Sequence, residues 1–173
     1  MDKKAKSSLS IDTDKREITM VRTFDAPREL VFRAYTDPEL IPQWWGPRGY
    51  KTVVEKLELE PGGAWRYVQY DPTGSQFAFH GVFHEVTPPK RLVYTFEYEG
   101  IPPGHVMVET VTFEDLGGKT RITATDVFQS LEDLEGMVNA GMEEGAVESF
   151  DRFAELLQKL QQPTHEPPTQ KEQ

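Results

Sequence analysis

The chain of 173 residues contains no cysteine. This absence excludes disulfides, thiolate nucleophiles and zinc or iron–sulfur sites that depend on cysteine. Histidine is scarce as well, with four residues in the whole chain, so we predict neither a metal nor another cofactor. The sequence also lacks any run of about eighteen apolar residues, and we therefore expect no segment that spans a membrane.

Positive charge is in short supply. Lysine and arginine total 19 against 29 aspartate and glutamate residues, which gives a formal net charge of -10 at pH 7. A field of this sign repels a phosphate backbone, so we expect no nucleic acid partner. Residues 1–10 also lack the apolar stretch of a secretory signal peptide, and we expect the protein in the cytoplasm.

Apolar and aromatic side chains, at 37% and 11% of the chain, concentrate between two polar ends. We predict a flexible N-terminal tail at residues 1–15, one ligand-binding domain at 16–160 and a disordered C-terminal tail at 161–173. Both tails are poor in apolar groups and cannot bury enough surface to offset the entropy of ordering them.

The spacing of apolar residues changes along the central region. Alternation predicts a strand near residues 18–24, and start signals at Asp25 and Asp37 predict two short helices after it. Turn signals divide residues 50–128 into six further strands, and residues 131–160 have the period of one amphipathic helix. This order predicts an α+β fold, in which a curved antiparallel sheet of about seven strands wraps around a long C-terminal helix. Large inward side chains would then leave either a packed core or a cavity.

Catalytic signatures are missing. We find no nucleophile elbow, phosphate-binding loop or dinucleotide fingerprint, and we assign no catalytic residue. His80 and His84 share one face of a predicted strand but lie about 13 Å apart at the usual strand rise, too far to share a metal. His80 remains a candidate polar group of a pocket. Carboxylates on predicted strands could act as a general acid or base, although exposed surface positions are commoner for them: Glu97, Glu99, Glu109 and Glu114.

Aromatic side chains point to a cavity. The adjacent Trp44 and Trp45 cannot point the same way, so we expect one in the core and one at the rim, and alternate aromatic residues on two predicted strands would face inward. Three glycines in the C-terminal helix each cost about 1 kcal/mol relative to alanine, which indicates close packing, a kink or space above a ligand. The predicted ligand-binding residues are Phe32, Trp45, Trp65, Tyr67, His80, Tyr94, Phe96, Tyr98, Met142, Ala146 and Phe150.

Short motifs follow one another in a specific order between residues 17 and 160: Phe24-Asp25-Ala26-Pro27, Trp44-Trp45-Gly46-Pro47, Pro61-Gly62-Gly63, Val111-Thr112-Phe113-Glu114, Gly141-Met142-x-x-Gly145 and Asp151-Arg152-Phe153. Together they resemble the activator of heat-shock protein 90 ATPase homologue-like family. The resemblance implies the START-like helix-grip fold, shared with polyketide cyclases and lipid-transfer domains, and an internal hydrophobic cavity. Family members often carry tryptophan where this chain has Ala146, and we expect the smaller side chain to enlarge the pocket.

We therefore predict a protein that binds a hydrophobic or aromatic small molecule between the sheet and the C-terminal helix. One alternative is an enzyme of cyclase or hydrolase type, which a buried carboxylate or histidine in the cavity would favour. Another is a module that contacts a chaperone, which a large exposed apolar patch would favour. Association into a homodimer is left open.

Overall fold

The α+β helix-grip architecture is confirmed by the computed structural model, which describes residues 7–163. One antiparallel sheet has the strand order β1-β2-β8-β7-β6-β5-β4-β3. The strands are β1 (Ser7–Asp12), β2 (Glu17–Phe24), β3 (Lys51–Leu57), β4 (Ala64–Tyr70), β5 (Gln76–Thr87), β6 (Arg91–Tyr98), β7 (Met107–Asp115) and β8 (Thr120–Val127). The helices are α1 (Arg28–Thr36), α2 (Leu131–Asn139) and α3 (Met142–Leu160), with a 3-10 turn at Ile41–Gln43 in place of the second short helix.

Strand β1 makes the sheet eight-stranded rather than seven-stranded and corrects the predicted N-terminal tail. Its residues pair with β2 from Ser7↔Arg22 to Asp12↔Glu17, so the expectation of a flexible tail is wrong for residues 7–12. The physical reason is that Leu9 and Ile11 alternate with polar residues, and Leu9 packs against the core. Residues 1–6 and 164–173, which complete the two predicted tails, lie outside the described residues.

The C-terminal segment forms two helices instead of the single long helix that its apolar period predicts. Gly141 separates α2 from α3 and has a φ of 83°, in the left-handed region where glycine carries no steric penalty. A Cβ added at Gly136 or Gly145 would meet nothing within 4 Å, so close packing does not explain these two glycines. Neither helix, nor any other in residues 7–163, is long and apolar enough to cross a membrane.

The Asp151-Arg152-Phe153 motif attaches α3 to the rest of the fold. Asp151 accepts a 2.7 Å hydrogen bond from Arg22, whose side chain is 3% exposed on the inner face of the sheet. Arg152 donates to the Gly46 carbonyl at 2.7 Å, and Phe153 is fully buried in the core. Three successive residues of one helix thus bind the sheet, a loop and the core.

Candidate functional site

An aromatic cavity of about 90 Å³ lies between the inner face of β4–β7, α1 and the loop that follows the 3-10 turn. All three tryptophans of the chain border it. Its volume is several times the roughly 10–15 Å³ that one water molecule requires. The walls are formed by Tyr35, Thr36, Ile41, Trp44, Trp45, Leu57, Leu59, Trp65, Tyr67, Phe83, Leu92, Tyr94, Phe96 and Glu109.

The two adjacent tryptophans point in different directions, as their position at a helix end predicts. Trp44 is 3% exposed and its indole nitrogen donates to the Ala34 carbonyl at 3.0 Å. Trp45 is half-buried, and its ring meets Tyr67 edge to face at 5.1 Å. The chain turns immediately afterwards at Gly46, where φ is 94° and an added Cβ would lie 1.9 Å from the Gln69 amide nitrogen. The positive φ therefore favours glycine at the turn that follows Trp45.

Strand alternation positions the other predicted cavity residues. Trp65 and Tyr67 project from the inner face of β4, with ring centroids 4.8 Å apart, and Tyr94 and Phe96 project from the same face of β6. Trp65 contacts both residues of β6, at 5.9 Å and 5.6 Å between centroids. Together with Trp45, these are the predicted residues that the structure brings together.

The remaining predicted residues do not border this cavity. Phe32 packs against Phe113 and Phe150 packs against Phe24, both within the main core. Tyr98 lies beyond the cavity against another ring of the sheet. Two positions near the start of α3 also lie elsewhere, because Met142 packs against a small cluster at the α2 end of the core and Ala146 packs against the main core.

His80 lies on the outer face of the sheet. Its two ring nitrogens lie 3.0 Å from Glu99 Oε2 and 3.1 Å from Glu97 Oε2, in a charged group that also includes Arg66. Because the neighbouring Phe79 turns inward, strand alternation turns His80 outward. His80 is therefore not a polar group of this cavity, contrary to the prediction from the sequence.

A partly buried polar row supplies the polar side of the cavity instead. Tyr94 on β6 stands opposite Glu109 on β7, which stands opposite Asp126 on β8. The Tyr94 hydroxyl donates to Glu109 Oε1, and the Tyr35 hydroxyl from α1 donates to the same oxygen at 3.2 Å. The two hydroxyl oxygens are 3.1 Å apart. Of these residues, the sequence pattern predicts Tyr94 as a ligand contact and Glu109 as one of several acidic candidates, whereas it does not identify Tyr35 or Asp126.

The environment keeps most of this row protonated. Burial, followed by the charge of Glu109, raises the pKa values of Tyr35 and Tyr94 well above the ordinary range, so both remain hydrogen-bond donors near neutral pH. Burial and then the charge and hydrogen bond of Glu109 raise the pKa of Asp126 well above its ordinary value. Asp126 therefore holds its proton to a higher pH than an exposed aspartate does, beside the Glu109 carboxyl group at the edge of an apolar space.

Residues 25–158 match the sequence pattern of the family described as Activator of Hsp90 ATPase homolog 1-like protein. The chain belongs to this family. The family member is 26% identical over 106 residues to the human Activator of 90 kDa heat shock protein ATPase homolog 1, an alignment that covers 61% of this chain and 28% of the human protein. The chain thus spans under a third of that relative's length.

Solved structures show the same architecture in this family. A protein from Arthrobacter aurescens has a TM-score of 0.82 and 28% identity, with 88% of this chain and 91% of that chain covered. A protein from Mycobacterium smegmatis has a TM-score of 0.78 and 26% identity, with coverage of 92% and 98%. These similarities establish the START-like fold that the sequence motifs imply.

Proposed function

We propose that this family member binds a small apolar or aromatic molecule in the cavity. The observation that carries the proposal is an aromatic space of about 90 Å³ on which three polar side chains converge, Tyr35, Tyr94 and Glu109. Apolar walls with a few placed polar groups are the usual composition of a small-molecule site. The volume suits a compact, single-ring ligand.

The arrangement of the rings supports this proposal. Trp45 and Trp65 each meet Tyr67, at 5.1 Å edge to face and 4.8 Å in a tilted pair, and the three rings still leave free space beside them. A ligand ring in that space would gain offset or edge contacts of the kind that add about 0.5–1.5 kcal/mol per pair beyond area burial.

A titration with 2-phenylethanol tests the proposal. Since all three tryptophans border the cavity, we expect saturable changes in intrinsic fluorescence, with matching heat in calorimetry. Leu59→Phe adds volume at the wall and should weaken binding, whereas Leu116→Phe makes the same change at an exposed loop position and should leave binding unaltered. Absence of binding to this and similar single-ring compounds would refute the proposed function.

An enzyme of cyclase or hydrolase type is a second candidate, favoured by one observation. Glu109 is a carboxylate on the cavity wall, within hydrogen-bond reach of two tyrosine hydroxyls. A carboxylate so placed can take a proton from a bound molecule, and a tyrosine can return one. Conversion of a bound compound that is lost in Glu109→Gln but retained in Glu114→Gln would support this candidate.

A chaperone-related role is supported by the name of the human relative, of which this chain covers 28%. The large apolar side chains that residues 7–163 expose are spread over β1, β5, β8, α2 and connecting loops, so we rank this role below ligand binding. The proposed location remains the cytoplasm, because a chain without cysteine has none of the disulfides common in oxidising compartments.

A further inference from the structure

We infer that the molecule bound in the cavity carries a protonated amine, which lies against the Glu109 carboxylate and beside the aromatic walls. The inference rests on the proposed ligand-binding function and specifies the chemical class of the ligand. An apolar acid, such as a fatty or aromatic carboxylate, is the class that the same geometry disfavours.

The charge of the cavity wall is the first observation. Glu109 is the only charged residue that borders the cavity in the described part of the chain, and no lysine or arginine borders it. The inward-facing Arg22 is paired with Asp151 at 2.7 Å, so it is not available to Glu109. A bound carboxylate would face an uncompensated negative charge in a poorly solvated space, whereas an ammonium group would neutralise it.

The aromatic walls are an independent second observation. The faces of Trp45, Trp65 and Tyr67 carry the negative side of the ring quadrupole, and an ammonium within about 6 Å of a ring centroid is attracted to it. Aromatic walls with one carboxylate are the combination that recognises organic cations. A ligand with an aromatic ring and a short aminoalkyl chain would use the rings for stacking and Glu109 for its charge.

An unpartnered buried oxygen behind Glu109 is the third observation. Asp126 is 8% exposed, and its Oδ1 atom has no hydrogen-bond partner within residues 7–163. The hydroxyls of Tyr35 and Tyr94 both donate to Glu109 Oε1, and neither of these donors carries a positive charge. Within residues 7–163, Glu109 has no cationic partner among its hydrogen bonds, and a ligand ammonium in the cavity would supply one.

Three ligands with one skeleton test the inference: 2-phenylethylamine, 2-phenylethanol and phenylacetate. Calorimetry near pH 7 and about 0.15 M salt, where the screening length is about 8 Å, limits the contribution of the overall negative charge. We expect the amine to bind about tenfold or more tighter than phenylacetate, with the alcohol between them. Glu109→Gln should remove this preference. Glu114→Gln should retain it, because Glu114 is an exposed residue of the same strand and outside the cavity.

Each outcome has a distinct meaning. Phenylacetate binding as tightly as the amine would overturn the inference and leave the proposed function standing. An amine preference that survives in folded Glu109→Gln would also overturn it, because a group other than Glu109 would then bind the ammonium charge. Binding of none of the three ligands would overturn the proposed function itself. The ranking in the wild-type protein remains decisive if Glu109→Gln does not fold.

Discussion

The attachment of α3 to the sheet by Arg22 and Asp151 can be tested with Asp151→Asn. Asparagine keeps the shape of the side chain and one hydrogen-bond acceptor, but it removes the charge that faces the guanidinium. Arg22 would then keep a neutral acceptor at position 151 and two weaker contacts, a serine hydroxyl at 3.4 Å and the Phe24 ring, whose centroid is 5.3 Å from Cζ. Since Arg22 is 3% exposed, water cannot replace the missing charge.

The magnitude follows from the unequal burial of the pair. Breaking a fully buried ion pair costs about 3–5 kcal/mol, because the remaining charge is left without a partner. Asp151 is 47% exposed, so solvent already screens part of the interaction. We therefore expect Asp151→Asn to lower the free energy of unfolding by about 1–3 kcal/mol.

Urea unfolding followed by circular dichroism measures this loss. Glu155→Gln is the matched control, because Glu155 also lies on α3 and pairs with Arg48 through two hydrogen bonds, of 2.6 Å and 2.9 Å, but both side chains are more than half exposed. We expect almost no change in the control. Equal losses in the two variants would refute the argument that burial of Arg22 determines the strength of the α3 attachment.

Two further predictions concern the titratable groups. The raised pKa of Asp126 means that its contribution to stability is fully present below the unfolded value of about 3.9 and is lost as the pH rises through the folded value. Asp126→Asn should therefore match the wild type near pH 4 and be the more stable protein near pH 8, and a stability difference that does not vary with pH would contradict this assignment. His80→Ala should leave ligand affinity unchanged because His80 lies on the outer face of the sheet, and a marked loss of 2-phenylethanol binding would show that the outer face contributes to the site.

The sequence predicts the aromatic half of the site better than its polar half. Alternation alone identifies Trp65 and Tyr94 as inward-facing, since strand periodicity determines which face a side chain occupies. The same alternation places Glu109 on the inner face, between the inward neighbours Met107 and Val111. Acidic residues on strands are usually exposed, however, and this general tendency argues against an inward position. Which polar residues share one row depends on the pairing register, and Asp126 reaches Glu109 only through the pairing of β7 with β8.

The C-terminal helix shows a second limit of prediction from sequence. Its apolar period runs through residues 131–160, but the helix breaks at Gly141. Periodicity does not predict this break, because the spacing of apolar side chains does not encode a backbone angle. The family tryptophan at the position of Ala146 predicts a place near the ligand, but Ala146 lies instead against the main core. Periodicity identifies the apolar face of a helix, whereas the contact made by each position depends on where the helix is docked.

The docking of α3 has a consequence for the rate of ligand exchange. Arg152 donates to the carbonyls of Gln43 and Gly46, at 3.3 Å and 2.7 Å, and Ser149 accepts from the Gly46 nitrogen at 3.1 Å. These bonds tie the loop that carries Trp45 to the middle of α3. The rotation of one side chain is therefore not enough to displace the loop that carries Trp45. A displacement of this loop must either break several hydrogen bonds or move α3 with it. For the proposed ligand we therefore expect the residence time to be coupled to the motion of a whole helix, so that a mutation remote from the cavity would change how long the ligand stays.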